Sequence, residues 1–335
     1  MRVGSFSIYN QVSNSLDQEM STITQLENQL SSGKKYSKNS DNVTGVISAM
    51  DYNLDLNNDN RYLSNIDSAN VALGDASTAM SSTMDALNNA KEIAIEGANG
   101  TTSSQNMEAL AQQVYQIKDE ILGYANMKST DGSSVFAGYQ TQTDAFNSST
   151  YAYQGDSGIV NAQISNSGLL PVNVPGSDAF SFTLSSPVTV TQADGSSFTY
   201  TQGSGTTIDV QIKDSSNNVV DSFSFSNFMQ LTDLLGNALN SGDTRRVSAL
   251  MTPLDDAITQ ATSVSADIGA RQERLTSQES SIEQDQSNTQ VLLSGVQDDD
   301  LAQTTTQLAK YQAALQALEQ STANISSQTL LDFLK

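Results

Sequence analysis

VSALMTPLDDAITQATSVSADIGARQERLTSQESSI, residues 247–282, places Val247, Leu254, Ala261, Ile268, Leu275 and Ile282 at strict seven-residue intervals, and Leu250, Ala257 and Val264 fill the alternate seam position. A repeat of this period keeps one apolar stripe on one side of an α-helix and calls for another helix to cover it. At about 1.5 Å per residue, the stretch predicts a helix of roughly 50 Å, longer than an ordinary globular helix. Just before it, Phe228, Leu231, Leu234 and Leu235 already have helical spacing. Just after it the phase slips near Gly295 and Asp298-Asp299-Asp300, and a last seam follows at Leu301, Leu308, Tyr311, Leu315, Leu318 and Ile325.

The opposite end of the chain carries a matching stripe, Tyr9, Val12, Leu16, Ile23, Leu26 and Leu30, which Ser31-Ser32-Gly33 stops. Further on, Ile66, Ala69, Leu73, Ala76, Met80, Leu87 and Ala90 share a second helical face that ends at Gly97-Ala98-Asn99-Gly100. Thr102 or Ser104 is placed to cap a third helix with its seam at Met107, Leu110, Val114, Ile117, Ile121 and Tyr124. From Asp131-Gly132 to about Phe225 the period drops to two, which predicts strands. Val188–Thr191 with Phe198–Thr201, and Ile208–Ile212 with Phe223 and Phe225, read as hairpins around Asp-Gly and Asn-rich turns; Pro171, Pro175 and Pro187 suit edges and turns. The expected fold is mainly α with an inserted β domain. An elongated antiparallel helical rod would have three parts. These are a terminal coiled-coil assembly domain (1–40 and 290–335), a helical rod domain (41–130 and 226–289) and the β domain (131–225).

Composition narrows the function. The 335 residues include no Cys, His or Trp, which removes disulfides, thiolate and imidazole metal sites and the usual general base. A formal charge of -22 would repel phosphate backbones and anionic lipids, so neither nucleic acid nor membrane is expected as a partner. The first residues lack the apolar core of a secretory signal; the expectation is either a cytosolic protein or export without a cleaved signal. No enzyme, cofactor or metal is expected. The pair Asp255-Asp256 is of a kind such an acidic chain produces by chance, and Gly203-Ser204-Gly205-Thr206-Thr207 lacks the Lys of a phosphate loop and reads as a hairpin turn. Asp298-Asp299-Asp300 reads as a helix start favoured by the helix dipole. Lys34, Lys35 and Lys38 form the basic cluster.

The terminal stripes are narrow, single apolar residues set among Ser, Thr, Gln and Asn. Such helices are marginal alone and gain stability by burying one face. They can pack against each other inside one bundle, or leave an apolar edge for neighbouring copies; periodicity alone does not separate an intramolecular seam from an intermolecular one.

Several local matches add to this. Gln29-Leu30-Ser31-Ser32-Gly33-Lys34-Lys35 with Ser40-Asp41, then Ile268-Gly269-Ala270-Arg271-Gln272 with Arg274-Leu275, then Asp300-Leu301-Ala302, are similar in order and spacing to the terminal regions of the flagellin and hook-associated protein families. Val135-Phe136-Ala137-Gly138-Tyr139, Thr141, Phe146, Tyr153-Gln154-Gly155-Asp156 and the ending Leu330–Leu334 resemble the members of that group that join hook to filament. Asn42-Val43 and Thr304-Thr305-Thr306 depart from its usual residues.

The resemblance implies a flagellin-like rod with its N- and C-terminal helices paired at one end, in a secreted, non-enzymatic flagellar subunit exported unfolded through the flagellar type III apparatus with a cytosolic export chaperone. It also implies self-association in a ring, between hook-associated protein 1 and flagellin. The assembly residues would be those of the two terminal stripes. Two other readings stand beside it: a filament flagellin, or a stalked adhesin whose Ser-, Thr-, Asn- and Tyr-rich β domain binds sugar.

Overall fold

The computed structural model describes residues 2–36, 40, 42–99, 102–184 and 186–333, with side chains for 7, 10–36, 40, 42–99, 102–184 and 186–323. The chain divides into two compact units, one of residues 1–60 and 282–335, the other of residues 61–281.

In the second unit the seven-residue seam is covered. Helix α2 (Val43–Ala98) contributes its later part and helix α6 (Thr244–Gln297) its earlier part. Val247, Leu250, Leu254, Ala257, Ala261, Ile268 and Leu275 are buried on α6, as are Ile66, Ala69, Leu73, Ala76, Met80, Leu87 and Ala90 on α2. Lys91 pairs with Asp255 at 2.5 Å, and one heptad back Thr262 Oγ1 meets Met84 Sδ at 3.4 Å, so the two helices run antiparallel in a single register. Alanines along both seams permit close approach. Helix α3 (Ser104–Ala125) buries Met107, Leu110, Val114, Ile117 and Ile121 as its pattern predicts. The cap differs from expectation. Ser103 accepts from the Asn106 amide, whereas Thr102 donates its hydroxyl to the Glu96 carbonyl at the end of α2. Helix α5 (Phe228–Asn240) lies on α3, fastened by Lys118–Asp233 at 3.1 Å and by Tyr115 Oη donating to Asn237.

The β region is sparser than its alternation suggested. Strands β1 (Asn161–Gln163) and β2 (Leu169–Pro171) form a small hairpin, and the short helix α4 (Gly176–Ala179) follows Pro175. β3 (Val188–Thr191), β4 (Ser197–Gln202), β5 (Ile208–Lys213) and β6 (Val219–Phe225) make an antiparallel meander in chain order. The Val188↔Tyr200 and Val210↔Phe223 pairings agree with the two hairpins read from the sequence, and Gly203 to Thr207 is the β4–β5 turn.

Residues 127–160 form a knot of turns rather than strands, because their backbone bonds go to one another and to side chains. Asp156 accepts from the Tyr139 and Gly158 amides, both at 2.8 Å, and these bonds hold its carboxyl below the usual range. Gly138 has φ +66, and a side chain there would collide with the Asp156 carbonyl. The glycine and the acid of this passage are thus halves of one device. Phe136, Phe146, Phe180, Phe182, Phe225 and Phe228 form a chain of edge-on ring contacts with neighbouring centroids 5.0 to 5.9 Å apart, which joins the knot, the meander and α5.

α6 is docked on this region by several polar contacts, among them Gln260 Nε2 donating to the Asp178 carbonyl at 2.8 Å. Arg246 grips Asp221 of β6 with two bonds of 2.9 Å, Arg271 donates to the Asn173 carbonyl at 3.0 Å, and Tyr200 Oη donates to the Ala249 carbonyl at 2.7 Å. The Tyr200 contact repairs a defect, because Pro253 lies inside α6 and has no N–H to offer the carbonyl four residues before it.

Tyr200→Phe leaves that carbonyl without a donor and is expected to lower stability by about 1–3 kcal/mol, measured by urea unfolding. Burial also pushes the Tyr200 and Tyr153 phenols up to about 12. Above pH 10 the unfolded chain releases these protons while the native chain holds them, so stability falls as pH rises from about 10 to about 12. A Tyr200→Phe, Tyr153→Phe double variant should flatten that slope in a pH series of unfolding curves.

Candidate assembly interface

The first unit is built from α1 (Arg2–Ser32), the opening of α2, the end of α6 and α7 (Leu301–Phe333). α1 packs on α7. Gly33 and Lys35 meet the turn between α6 and α7, and Val12 lies near Leu318, so the two terminal helices run antiparallel.

Two turns clasp each other where α1 ends. Gly33, at φ +67, closes the helix by donating to the Gln29 carbonyl at 2.8 Å. Lys35 N–H then donates to the Gln297 carbonyl at 2.8 Å, and Asp299 N–H to the Gly33 carbonyl at 2.9 Å, which gives a short antiparallel bridge between Lys34 and Asp298. Lys35 Nζ adds a bond to the Gly295 carbonyl at 2.7 Å. The basic cluster therefore engages the carbonyl-rich end of α6, where a helix dipole favours cations; Lys38 lies outside the described residues. Asp300 caps α7 through the Ala302 and Gln303 amides, both at 3.1 Å, which agrees with the helix start read from Asp298-Asp299-Asp300. Asn42 does the same for α2 through the Gly45 amide at 3.0 Å. With Asn42 as cap, the Asn42-Val43 departure preserves the helix start.

Along the seam, burial is uneven. Ile23 and Leu26 are buried, and Thr304 on α7 is buried as well. Val12, Leu16, Leu308, Tyr311, Leu315 and Leu318 are only half-covered, Leu30 and Leu301 are exposed, and the side chains of Tyr9 and Ile325 lie outside the described residues. A groove of about 440 Å³ opens between Gln11, Val12 and Ser15 on α1 and Ala317, Leu318 and Ser321 on α7. The packing of one chain thus leaves an apolar edge.

A second apolar stripe is not among the residues expected from the sequence. Val43, Ile47, Met50 and Leu54 on α2 are 54% to 61% exposed, at steps of four, three and four residues. Val291 and Leu292 on α6 are exposed in the same unit, where Gln286 Nε2 bonds to Asn60 Oδ1. The spacing of the α2 residues was visible in the chain; their lack of a cover was not. Among the described residues no three His, Cys, Asp or Glu converge as metal ligands, Asp255 is taken up by Lys91, and no helix is long and apolar enough to cross a membrane.

Residues 3–141 match the bacterial flagellin N-terminal helical region, and residues 251–334 match the bacterial flagellin C-terminal helical region. The chain belongs to the flagellin-like family. Flagellin-like chains are flagellar structural proteins, and this one is similar to flagellar hook-associated protein 3 of Salmonella typhimurium, 24% identical over 58% of the present chain and 61% of the relative. It is also similar to flagellar hook-associated protein 3 of Escherichia coli, 29% identical over 36% of this chain and 37% of that protein. The flagellin-like chain therefore aligns with less than two thirds of the length of either relative. The crystal structure of flagellar hook-associated protein 3 from Legionella pneumophila has the same fold, with a TM-score of 0.58 and 20% identity over 73% of this chain and 98% of that one. The mainly α fold with an inserted β domain holds. In this flagellin-like fold the matched Gly33-Lys34-Lys35 segment is one side of the clasp, Asp300 caps α7 directly after the other side, and Arg271 is a docking residue.

Gly33→Ala puts a side chain into the left-handed region at a cost of about 1–2 kcal/mol. Hydrogen exchange of the Lys35 and Asp299 amides should quicken by about tenfold, whereas exchange in β4 and β5 should not change.

Proposed function

We propose that this chain is a structural, non-enzymatic subunit of the bacterial flagellum that joins the hook to the filament and assembles as a ring through α1 and α7. The observation that carries the reading is the half-covered seam: Val12, Leu16, Leu308, Tyr311, Leu315 and Leu318 are too apolar for open solvent and too exposed for a finished core. Neighbouring copies would complete it. The likeness to hook-associated protein 3 favours the junction over the filament.

The same seam suits export. Helices this narrow gain little on their own, so a chain passing unfolded through the flagellar type III apparatus, held by a cytosolic chaperone, would order its ends on docking. Assembly before export is then disfavoured, since the ordering cost is met only where other subunits supply the missing face. Hook-associated protein 1 on one side and flagellin on the other are the proposed neighbours. In this scheme residues 1–40 and 290–335 assemble, 41–130 and 226–289 form the rod, and 131–225 form the outer domain.

Leu308→Asp and Leu315→Asp each set a carboxylate on the seam and are expected to abolish assembly, with the 61–281 unit still folding cooperatively. Motility and hook–filament attachment in cells carrying either variant check this; normal swimming would sink the seam assignment. Immunogold labelling of intact flagella should place gold only at the distal end of the hook, and label along the filament would favour a flagellin.

A further inference from the structure

Glu19 interrupts the apolar row of α1. Val12, Leu16, Ile23, Leu26 and Leu30 advance by alternating steps of three and four, and Glu19 stands where the next apolar side chain belongs between Leu16 and Ile23. Its Oε2 is shut off from water and has no hydrogen-bond partner, a state shared by only two other side-chain atoms among the described residues. A shielded carboxylate oxygen without a donor weakens the seam of an isolated chain. The clasp at one end of the pair and the groove at the other bring Glu19 level with about Tyr311 of α7, next to Lys310, yet no ion pair joins Glu19 and Lys310 within one chain.

The helical segments of this unit hold a single cation among the described side chains, Lys310 on α7. It is exposed and enters no ion pair. A chain of net charge -22 repels its own copies, so a cation and a half-buried carboxylate on the assembling helices form a specific attraction.

We propose that Glu19 and Lys310 of two neighbouring copies pair, and that this pair sets the register in which the chain self-associates. The second copy would lay its α7 along the open edge of the α1/α7 seam. That edge consists of the half-covered Val12, Leu16 and Leu318, together with Met20, which is 58% exposed beside Glu19. The inference rests on the reading of this seam as the assembly surface. A polar residue at one seam position admits the alignment that satisfies it and disfavours the others, at some expense in stability, which a leucine at 19 would not do.

Full-length chains carrying Glu19→Lys or Lys310→Glu test this, with assembly followed by sedimentation velocity and electron microscopy under conditions where the wild type polymerises. Each variant alone should assemble at least about tenfold less well. An equimolar mixture should recover, because each copy supplies the charge that the other lacks. A pair closed within one chain predicts no recovery in the mixture, which would overturn the proposal. The Glu19→Lys, Lys310→Glu double variant restores the pair in either arrangement and must itself assemble, since a double variant that fails to recover would also overturn it. Glu19→Leu should raise the thermal midpoint of the monomer and blur the subunit repeat; a Leu variant that assembles with the wild-type repeat would also overturn it. Failure of the wild type to assemble at all sinks the reading of function as well, whereas wild-type assembly with a silent mixture sinks this inference alone.

Discussion

Both units depend on one constraint: a helix with a single narrow apolar stripe is stable only while something covers that stripe. In the 61–281 unit the cover is complete. The α6 seam from Val247 to Leu275 is buried against α2 and the β region, and the polar remainder of each helix faces water. In the unit made by the two chain ends the same kind of stripe is covered at Ile23 and Leu26 and thins out towards Val12 and Leu318. Similar periodicity thus serves a closed core in one place and an open edge in another.

Among the described residues, shielded, unbonded side-chain atoms occur in both units, Ser134 Oγ being the one in the 61–281 unit, but most polar contacts are closed. Around α6 they are closed and mutually satisfied: Arg246 with Asp221, Arg271 with Asp267 and the Asn173 carbonyl, Tyr200 with the carbonyl that Pro253 leaves without its helical donor. Around α1 and α7 the backbone clasp is likewise closed, yet Glu19 and Asp299 each keep an oxygen that is shielded and unbonded.

The terminal matches to the flagellin family acquire physical content from these contacts. Gly33 supplies a left-handed helix stop, Lys35 reaches the end of α6, and Asp300 caps α7, so several matched residues build or flank the clasp. Asn42 supplies the cap where Asn42-Val43 departs from the family's usual residues. Chemistry at a helix end can be kept while the residue changes, because a cap needs only a short side chain with an accepting oxygen.

Much of this was legible in the chain. Periods of seven and of two fixed the long helices, the terminal stripes and the two hairpins, since repeats of that kind report which face of an element must be covered. Local chemistry also read correctly at Asp300 and at the Gly203–Thr207 turn. Alternation overstated the strands between 131 and 160, where Asp156 and the backbone of the knot satisfy one another, and the cap of α3 fell to Ser103 instead of its neighbours. What the amino-acid order determined is therefore which surfaces seek cover; how completely each is covered was decided only by tertiary packing. Whether Leu26 is buried and Met50 is not depends on what lies across from them, a relation between distant segments that no local period encodes.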